Sequence, residues 1–336
     1  MKASAAYALV EDLQQYFVKQ LESFVRSDQA VFEKVEWGRD EGRHGGGVRY
    51  VAIDQQFFNR GSVNVSQVQY DDDDSKGLAS ATALSTIIHP KNPYAPSVHM
   101  HISWTEMKGG KGYWRMMADL NPAIENPQAT ELFDQQLKTA MAERYDLGKA
   151  QGERYFFIPA LERHRGVSHF YLEEYNTNDP QADFDLSRTL GKTVIDTYVD
   201  IFEQAVTHHR EPPSVQALNE QLAYHTLYLF QVLTLDRGTT SGLLVHNQND
   251  IGIMGSLPAQ IDKELLASWQ SKLVSPQDDL LATIIKVLPE KMPCLIDNQV
   301  KADLANVVRQ HYQQNPKALA MQAQGNVVPT TVNNHQ

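Results

Sequence analysis

A strict alternation of apolar and polar residues from Val98 to Trp104 constrains the fold more than any other stretch of this sequence. The apolar members are Val98, Met100, Ile102 and Trp104, and the polar members between them are His99, His101 and Ser103. Successive side chains of a β-strand point to opposite faces of a sheet, so this spacing predicts a strand with one apolar and one polar face. Two histidines share the polar face.

Helical and extended patterns alternate along the rest of the chain. Helices are predicted at residues 5–26, 126–147, 186–206, 264–274, 277–288 and 299–313. Strands are predicted at residues 48–52 and 63–67, which form an antiparallel pair, and in RYFFIP (154–159), HFYLEEY (169–175), LYLFQVLTLDRGT (227–239) and IGIMGSLP (251–258). This order of elements predicts an α+β fold with a mainly antiparallel sheet.

Charge and composition exclude several classes of function. The chain of 336 residues has 41 acidic and 30 basic residues, a formal charge of -11, and no run rich in lysine or arginine, which disfavours nucleic-acid and anionic-membrane binding. An anionic ligand would therefore need a local group of cations. Cys294 is the single cysteine, which fits a reducing compartment, and no stretch reads as a membrane span, so we expect a cytoplasmic protein without integral membrane association.

Nucleotide-binding and nucleophile motifs are missing from the sequence. We find no Gly-x-Gly-x-x-Gly that opens a helix, no Gly-x-x-x-x-Gly-Lys-Ser/Thr, and no Gly-x-Ser-x-Gly. The segment HPKNPYAPSVHMH, from His89 to His101, is the candidate for chemistry. Its spacing alone leaves open whether the histidines bind a metal, exchange protons or include a bystander.

Several motifs together resemble the oxygen-dependent coproporphyrinogen III oxidases. STIIHPKNPYAPSVHMHI, ADLNP, YFFI…RGVSHFYLEEY, LDRGT-x2-GL and IMGSLP occur in the order, and nearly at the spacing, of that family. The earlier segment EGRHGGGVRYVAIDQQFFNRGSVNVSQVQ is similar to its first hairpin. The resemblance covers about residues 8 to 290.

The resemblance implies a fold and a reaction. The fold is a large, flat antiparallel sheet sandwiched between two layers of helices, and the protein is a homodimer. The reaction converts two propionates of a reduced tetrapyrrole to vinyl groups, releases carbon dioxide and uses dioxygen as co-substrate without an organic cofactor, while a divalent metal is uncertain. We expect one such domain at residues 1–290, followed by a C-terminal helix and a polar, disordered tail at 291–336.

The resemblance also implies roles for individual residues. Asp236 would meet the pyrrole nitrogens, Arg237 would stabilise an anion, His99 would donate a proton, and Asp119 matches the acid of the ADLNP motif. Ser85 and Arg165 match substrate contacts. His89, His99 and Asp134 are the candidate metal ligands.

Departures from the family lie at substrate and metal positions. His101 and Ser103 stand where the family has Asn-x-Arg, and Asn249 lies near the position of a loop arginine, so these three become altered substrate-contact positions. Asp134 and Ala160 replace two of the four proposed metal histidines. A four-histidine metal site therefore cannot form, and the loss of two arginines would weaken the binding of a tetracarboxylate.

Three functions are compatible with these residues. A divergent coproporphyrinogen III oxidase agrees best with the retained His99, Asp236 and Arg237. The alternatives are a paralogue that acts on another electron-rich substrate and a non-catalytic tetrapyrrole-binding protein. Each residue also has a structural interpretation: hydrogen-bonded histidines, a capping pair at 236–237, a turn aspartate at 119 and a surface arginine at 165.

Overall fold

A computed structural model describes residues 3–25, 29–73, 75–245 and 248–325. Within them the helices are α1 (Ala3–Val25), α2 (Pro127–Met141), α3 (Tyr145–Phe156), α4 (Pro180–His208), α5 (Val215–Thr234), α6 (Arg237–Val245), α7 (Asp250–Ile253), α8 (Lys263–Ser268), α9 (Gln277–Val287) and α10 (Asn298–Gln314). The strands are β1 (Phe32–Gly38), β2 (Gly45–Ala52), β3 (Phe58–Gln69), β4 (Leu78–Pro90), β5 (Ser97–Met107), β6 (Gly112–Asn121), β7 (Phe157–Ile158), β8 (Arg163–His164), β9 (Val167–Tyr175), β10 (Gln260–Ile261) and β11 (Cys294–Leu295).

A seven-stranded antiparallel sheet in the order β1-β2-β3-β4-β5-β6-β9 forms the centre of the described part of the fold. Its apolar face packs against α1, α2 and α4, with Val65, Leu84 and Ile102 in the same core. The helices from α5 onward form a second core on the other side of the sheet. The predicted α+β sandwich is therefore confirmed.

The alternation that predicted β5 has the expected consequence. Met100 and Ile102 are fully buried in the core beside α1 and α4. His99, His101 and Ser103 point to the opposite face, toward the second helical layer. The predicted antiparallel pair at residues 48–52 and 63–67 is also present, as β2 and β3.

Two predicted strands are helices. LYLFQVLTLDRGT forms the second half of α5 and the start of α6, and IGIMGSLP forms α7 and a 3-10 turn at Met254–Ser256. Every residue from Tyr224 to Thr234 is buried, so the segment lacks the polar stripe that identifies a surface helix. A short apolar run of this kind fits a buried strand and a buried helix equally well.

The region after residue 126 also differs from its prediction. Asn126 caps α2 as expected, its side chain accepting a hydrogen bond from the Ala129 amide. The helix ends at Met141 because Ala142 adopts a positive φ of 45°, and α3 then includes RYF of the RYFFIP segment that was predicted as a strand. Gly152 lets α3 approach β9, since a Cβ there would lie 2.8 Å from the His169 carbonyl carbon.

The C-terminal segment packs on the second helical layer. The predicted helix is α10, which contacts α6, α7 and α9, and a 3-10 segment at Pro316–Met321 follows it. The domain boundary near residue 290 stays a prediction, and residues 326–336 of the predicted tail lie outside the described residues. Among the described helices, none combines the length and apolar character needed to cross a bilayer.

Candidate active site

A cavity lies between the polar face of the sheet and the second helical layer. Sheet residues form its floor in cross-strand rows. One row is Ser62, Ile87, His99 and Asp119; the next is Asn64, Ser85, His101 and Met117; the third is Ser66, Ala83, Ser103 and Arg115. Except for Asp119, which lies behind His99, these side chains line the cavity. Residues of α5, α6 and α7 form the facing wall.

His99 is held by a carboxylate that has no exposed surface. Its Nδ1 lies 2.8 Å from Oδ1 of Asp119, and Oδ2 of Asp119 lies 3.0 Å from Nη2 of Arg165. Burial alone would raise the pKa of Asp119, but the charges of Arg165 and His99 and the hydrogen bond from His99 outweigh it and lower that pKa. Asp119 is therefore ionised and accepts a proton-bearing Nδ1, which leaves Nε2 of His99 for the cavity.

Arg165 is buried rather than a surface arginine. Its side chain is 2% exposed, and its guanidinium lies over the rings of Phe156 and Tyr228 at 4.7 and 4.8 Å. Its Nε and Nη1 have no hydrogen-bond partner among the described residues, and Arg165 lines the cavity. Buried donors of this kind are expected to bind a ligand or water.

His101 is a neutral neighbour of His99. Burial, followed by the charges of His99 and Arg115, lowers its pKa to about 4. Its Nε2 lies 3.0 Å from Oγ of Ser103. The position therefore adds a polar but uncharged surface to the middle of the cavity floor at neutral pH.

Asp236 stands on the helical wall of the cavity. Its Oδ1 accepts a hydrogen bond from the Tyr155 hydroxyl at 2.7 Å, and its Oδ2 accepts one from the Thr239 amide at 2.7 Å, which caps α6. Asp236 therefore caps α6 and lines the cavity at the same time. Each carboxylate oxygen retains capacity to accept a further hydrogen bond from a ligand.

Arg237 is paired within the protein. Its Nη1 lies 2.8 Å from Oε1 of Glu173, and both side chains are buried. The other carboxylate oxygen of Glu173 accepts a hydrogen bond from the Gly325 amide at 3.1 Å. The C-terminal segment therefore contributes to the position of Arg237 in the cavity wall.

The remaining substrate-contact candidates also line the cavity. Ser85 and Ser103 stand on its floor, and Asn249 stands at its α7 end, where its Oδ1 accepts a hydrogen bond from Arg49 Nη1 at 3.3 Å. The structure thus brings together His99, His101, Ser85, Ser103, Arg165, Asp236, Arg237 and Asn249.

The three candidate metal ligands are not brought together. His89 is fully buried outside the cavity, with Nδ1 2.9 Å from Ser97 Oγ and Nε2 3.2 Å from the Ser256 carbonyl oxygen. Asp134, on α2, accepts a hydrogen bond from Tyr145 and lies 3.7 Å from Lys149 Nζ. Throughout the described ranges, no three His, Cys, Asp or Glu side chains gather as a metal site. These residues do not fit the predicted metal centre.

Sequence reasoning missed several residues of the cavity. Arg39, Arg115, Tyr155, Glu173 and Gln231 all line it. For Arg115 a signal was available, because it stands between the apolar residues Trp114 and Met116, in the alternation that is typical of a strand. Arg39 and Gln231 reach the cavity from a turn and a buried helix, and no local pattern indicates this.

Four arginines give the cavity a local positive charge in an acidic protein. Arg39, Arg115, Arg165 and Arg237 line it, against the two carboxylates of Glu173 and Asp236. The formal charge of the whole chain is -11. Such a concave, locally cationic surface is suited to a ligand that carries several carboxylates.

Comparisons with known proteins identify similar sequences. The family model described as coproporphyrinogen III oxidase matches residues 5–288. The rat protein named "Oxygen-dependent coproporphyrinogen-III oxidase, mitochondrial" is 28% identical over 284 residues, which are 77% of this chain and 62% of the rat protein. The corresponding human protein is 26% identical over 284 residues, 77% of this chain and 60% of its own length.

A bacterial relative is covered more completely. The Rickettsia akari protein named "Oxygen-dependent coproporphyrinogen-III oxidase" is 26% identical over 247 residues, which are 69% of this chain and 85% of that protein. For the rat, mouse and human relatives, by contrast, the matched part is 60–62% of their length.

Proposed function

Since this chain belongs to the coproporphyrinogen III oxidase family, we propose that it is an oxidoreductase of haem biosynthesis that converts two propionates of coproporphyrinogen III to vinyl groups. Dioxygen accepts the electrons, as the names of the relatives indicate, and no organic cofactor takes part. The observation that carries this proposal is the His99–Asp119–Arg165 chain, which opens into a cavity lined by arginines.

The chemistry defines what the protein must supply. Each propionate loses its carboxyl carbon as carbon dioxide and one hydrogen from the carbon next to the ring, releasing two electrons. Dioxygen takes up these electrons, and charge balance consumes one proton per propionate whether peroxide or water is formed. The site therefore needs a proton source, a group that removes a pyrrole N–H proton, and cations that hold carboxylates.

His99 is suited to the proton transfer. Its Nδ1 is held by ionised Asp119, and its Nε2 side faces the cavity, as in other sites where an aspartate orients a catalytic histidine. Because Arg165 and the Asn121 side-chain amide, which donates to Asp119 at 2.6 Å, stabilise Asp119 as a carboxylate, the shared proton is held on the imidazole. We therefore assign to His99 the exchange of a proton with the oxygen or substrate.

Asp236 is suited to meet the pyrrole nitrogens. Its two oxygens are fixed by Tyr155 and the Thr239 amide, so the carboxylate needs no reorganisation to accept an N–H from the substrate. Arg237 lies beside it and would stabilise the anion that follows deprotonation. Arg165 has two donors, Nε and Nη1, that are unpaired among the described residues, and it lines the cavity. It would stabilise the same substrate anion from the side of the sheet.

Oligomeric state and compartment complete the proposal. We infer a homodimer from the family resemblance and a cytoplasmic location from a chain whose single cysteine, Cys294, is buried and forms no disulfide. Light scattering coupled to gel filtration tests the dimer: a mass of two chains is expected, and a mass of one chain would contradict it.

A second candidate function is supported by two positions in the cavity. Ser103 and Asn249 place neutral groups where the family resemblance implies arginines. This observation favours a related electron-rich substrate that carries fewer carboxylates. The product analysis that follows separates the two functions when a tripropionate porphyrinogen is offered as a second substrate beside coproporphyrinogen III.

The experiment is a product analysis of the purified full chain. Coproporphyrinogen III is incubated with the protein in air and under argon, the products are oxidised to porphyrins, and these are separated by chromatography. We expect tripropionate and dipropionate products in air alone. Products no higher than in a no-protein control would contradict the proposed function, and turnover of the tripropionate alone would favour the second candidate.

A further inference from the structure

The third row of the cavity floor has three small residues and ends in Arg115. Ser66, Ala83 and Ser103 are successive cross-strand neighbours on β3, β4 and β5, and Arg115 is the neighbour of Ser103 on β6. Their short side chains leave a recess above the sheet, which is continued by Ala81 and Thr105. The recess lies two rows away from His99.

Arg39 closes the end of the recess near β3. It follows β1, its Nη1 lies 3.4 Å from the Gln67 carbonyl oxygen, and its guanidinium lies 5.5 Å from the centre of the Trp37 ring. The residue is 7% exposed, lines the cavity, and its Nε has no hydrogen-bond partner in the described ranges. No carboxylate of the described residues lies within ion-pair distance of it.

Arg115 stands at the opposite end of the same row. Neighbouring strands are about 4.8 Å apart, so β3 and β6 are separated by roughly 14 Å. Arg39 and Arg115 both line the cavity, Arg115 at the β6 end of this row and Arg39 near its β3 end, where Arg39 Nη1 lies 3.4 Å from the Gln67 carbonyl oxygen. Guanidinium groups bind carboxylates with two parallel hydrogen bonds, which suits this geometry.

Another buried donor points into the same cavity. Gln231, on α5, is 1% exposed, and its Nε2 has no partner among the residues described. Together with Arg39 and Arg165 it indicates that the cavity is built to bind a polar, anionic ligand.

We propose that this recess is a carboxylate subsite in which Arg39 and Arg115 hold propionate groups of the substrate, in place of the arginines absent at residues 103 and 249. The inference rests on the proposed function for the identity of the substrate. It assigns Arg39 and Arg115 to substrate specificity and leaves the proton transfers to His99 and Asp236.

The test uses equilibrium binding, which does not depend on turnover. Fluorescence titration with oxidised coproporphyrin III, a stable tetracarboxylate, is compared with its tetramethyl ester for the parent protein and for Arg39→Gln and Arg115→Gln. Each variant is expected to weaken binding of the tetracarboxylate by about 10- to 100-fold and binding of the ester by less than about twofold. Arg43→Gln, an exposed neighbour paired with Asp72, is the matched control and should change neither.

A second variant guards against misfolding. Ser103 on β5 is directly opposite Arg115 on β6. The double variant Ser103→Arg/Arg115→Gln therefore returns a guanidinium group to the recess from the adjacent strand. It should restore most of the affinity for coproporphyrin that Arg115→Gln loses. Circular dichroism and melting curves identify any variant that fails to fold. Coproporphyrin binding unchanged in folded Arg39→Gln and Arg115→Gln overturns the subsite, and so does a parent protein that does not bind coproporphyrin.

Failure of the subsite and failure of the proposed function give different results. Turnover of coproporphyrinogen III with unchanged binding in both variants rejects the subsite alone. Arginine-dependent binding without turnover in air rejects the oxidase function alone and retains the subsite as that of a tetrapyrrole-binding protein.

Discussion

Nδ1 of His99 lies 2.8 Å from Oδ1 of Asp119, on the adjacent strand and directly opposite in the antiparallel register. The second oxygen of the same carboxylate pairs with buried Arg165. One buried acid thus orients the imidazole and balances an arginine at once. Its removal should affect catalysis and stability together.

We expect Asp119→Asn to lower kcat by about 10²- to 10⁴-fold, because the imidazole loses its orientation and its preferred tautomer. It should also destabilise the fold by about 3–5 kcal/mol, since Arg165 is left buried without a counter-charge. Product chromatography and urea unfolding measure the two effects. Asp185→Asn, which removes an exposed acid paired with Arg188, is the control and should change neither. Full activity in Asp119→Asn would remove this residue from the site.

Asp236→Asn separates catalysis from capping. Asparagine is as good an N-cap as aspartate, so the Thr239 amide keeps its partner and the unfolding free energy should change by less than about 1 kcal/mol. Turnover should fall at least about 100-fold, because an amide cannot remove the pyrrole proton. Tyr155→Phe, which removes the other hydrogen bond of Asp236, should cost less in turnover. Equal rates for parent and Asp236→Asn would exclude the proposed role.

Buried histidines should make the fold sensitive to acid. Burial, followed by the charge of Lys91, lowers the pKa of His225 to about 3. A group whose pKa is lower in the folded state loses stability as the pH falls from its unfolded value, about 6.5, toward the folded one. By this linkage His225 alone accounts for about 2 kcal/mol between pH 6.5 and 5.

His225→Leu should therefore reduce the acid sensitivity of the protein. The difference between its melting temperatures at pH 7 and pH 5 is expected to be smaller than that of the parent protein. His208→Leu, on the exposed end of α4, is a control and should preserve the parental difference. An unchanged pH dependence in His225→Leu would contradict the assignment of a neutral, buried imidazole.

The C-terminal segment should be needed for the cavity wall. Gly325 donates its amide to Glu173, and a Cβ at this position would lie 2.5 Å from Cδ1 of Tyr171. Gly325→Val should therefore displace the segment, disturb the Glu173–Arg237 pair and raise KM for the porphyrinogen by about tenfold or more. Gln324→Val, at an exposed neighbouring position, is the control. Equal KM values for both variants would contradict the role of this segment.

The sequence was sufficient to predict those parts of the fold in which local spacing decides the structure. The alternation around His99 and His101 predicted both the strand and the shared polar face, and the apolar stripe of α1 predicted its helix. The pattern failed at LYLFQVLTLDRGT, because the part of α5 from Tyr224 to Thr234 is buried on all sides and has no polar stripe. Tertiary packing, rather than local preference, decides such a segment.

The site could be predicted where a motif carries it, and not where distant segments meet. His99, Asp236 and Arg237 line one cavity, as the family resemblance implies. The three candidate metal ligands do not lie together, and both nitrogens of His89 are used by Ser97 and Ser256, 8 and 167 residues away. Arg39 was missed because it reaches the cavity from a turn that no local motif marks, whereas the alternation around Arg115 indicates its strand face but not the cavity that this face lines.

The most direct test of the proposed reaction is the amount of carbon dioxide released per porphyrinogen in air, measured together with dioxygen uptake. The parent protein should release two molecules of carbon dioxide per coproporphyrinogen III, while Asp236→Asn and an argon-equilibrated sample should release almost none. Dioxygen uptake without carbon dioxide release, the result of simple ring oxidation to coproporphyrin, would contradict the reaction proposed for this cavity.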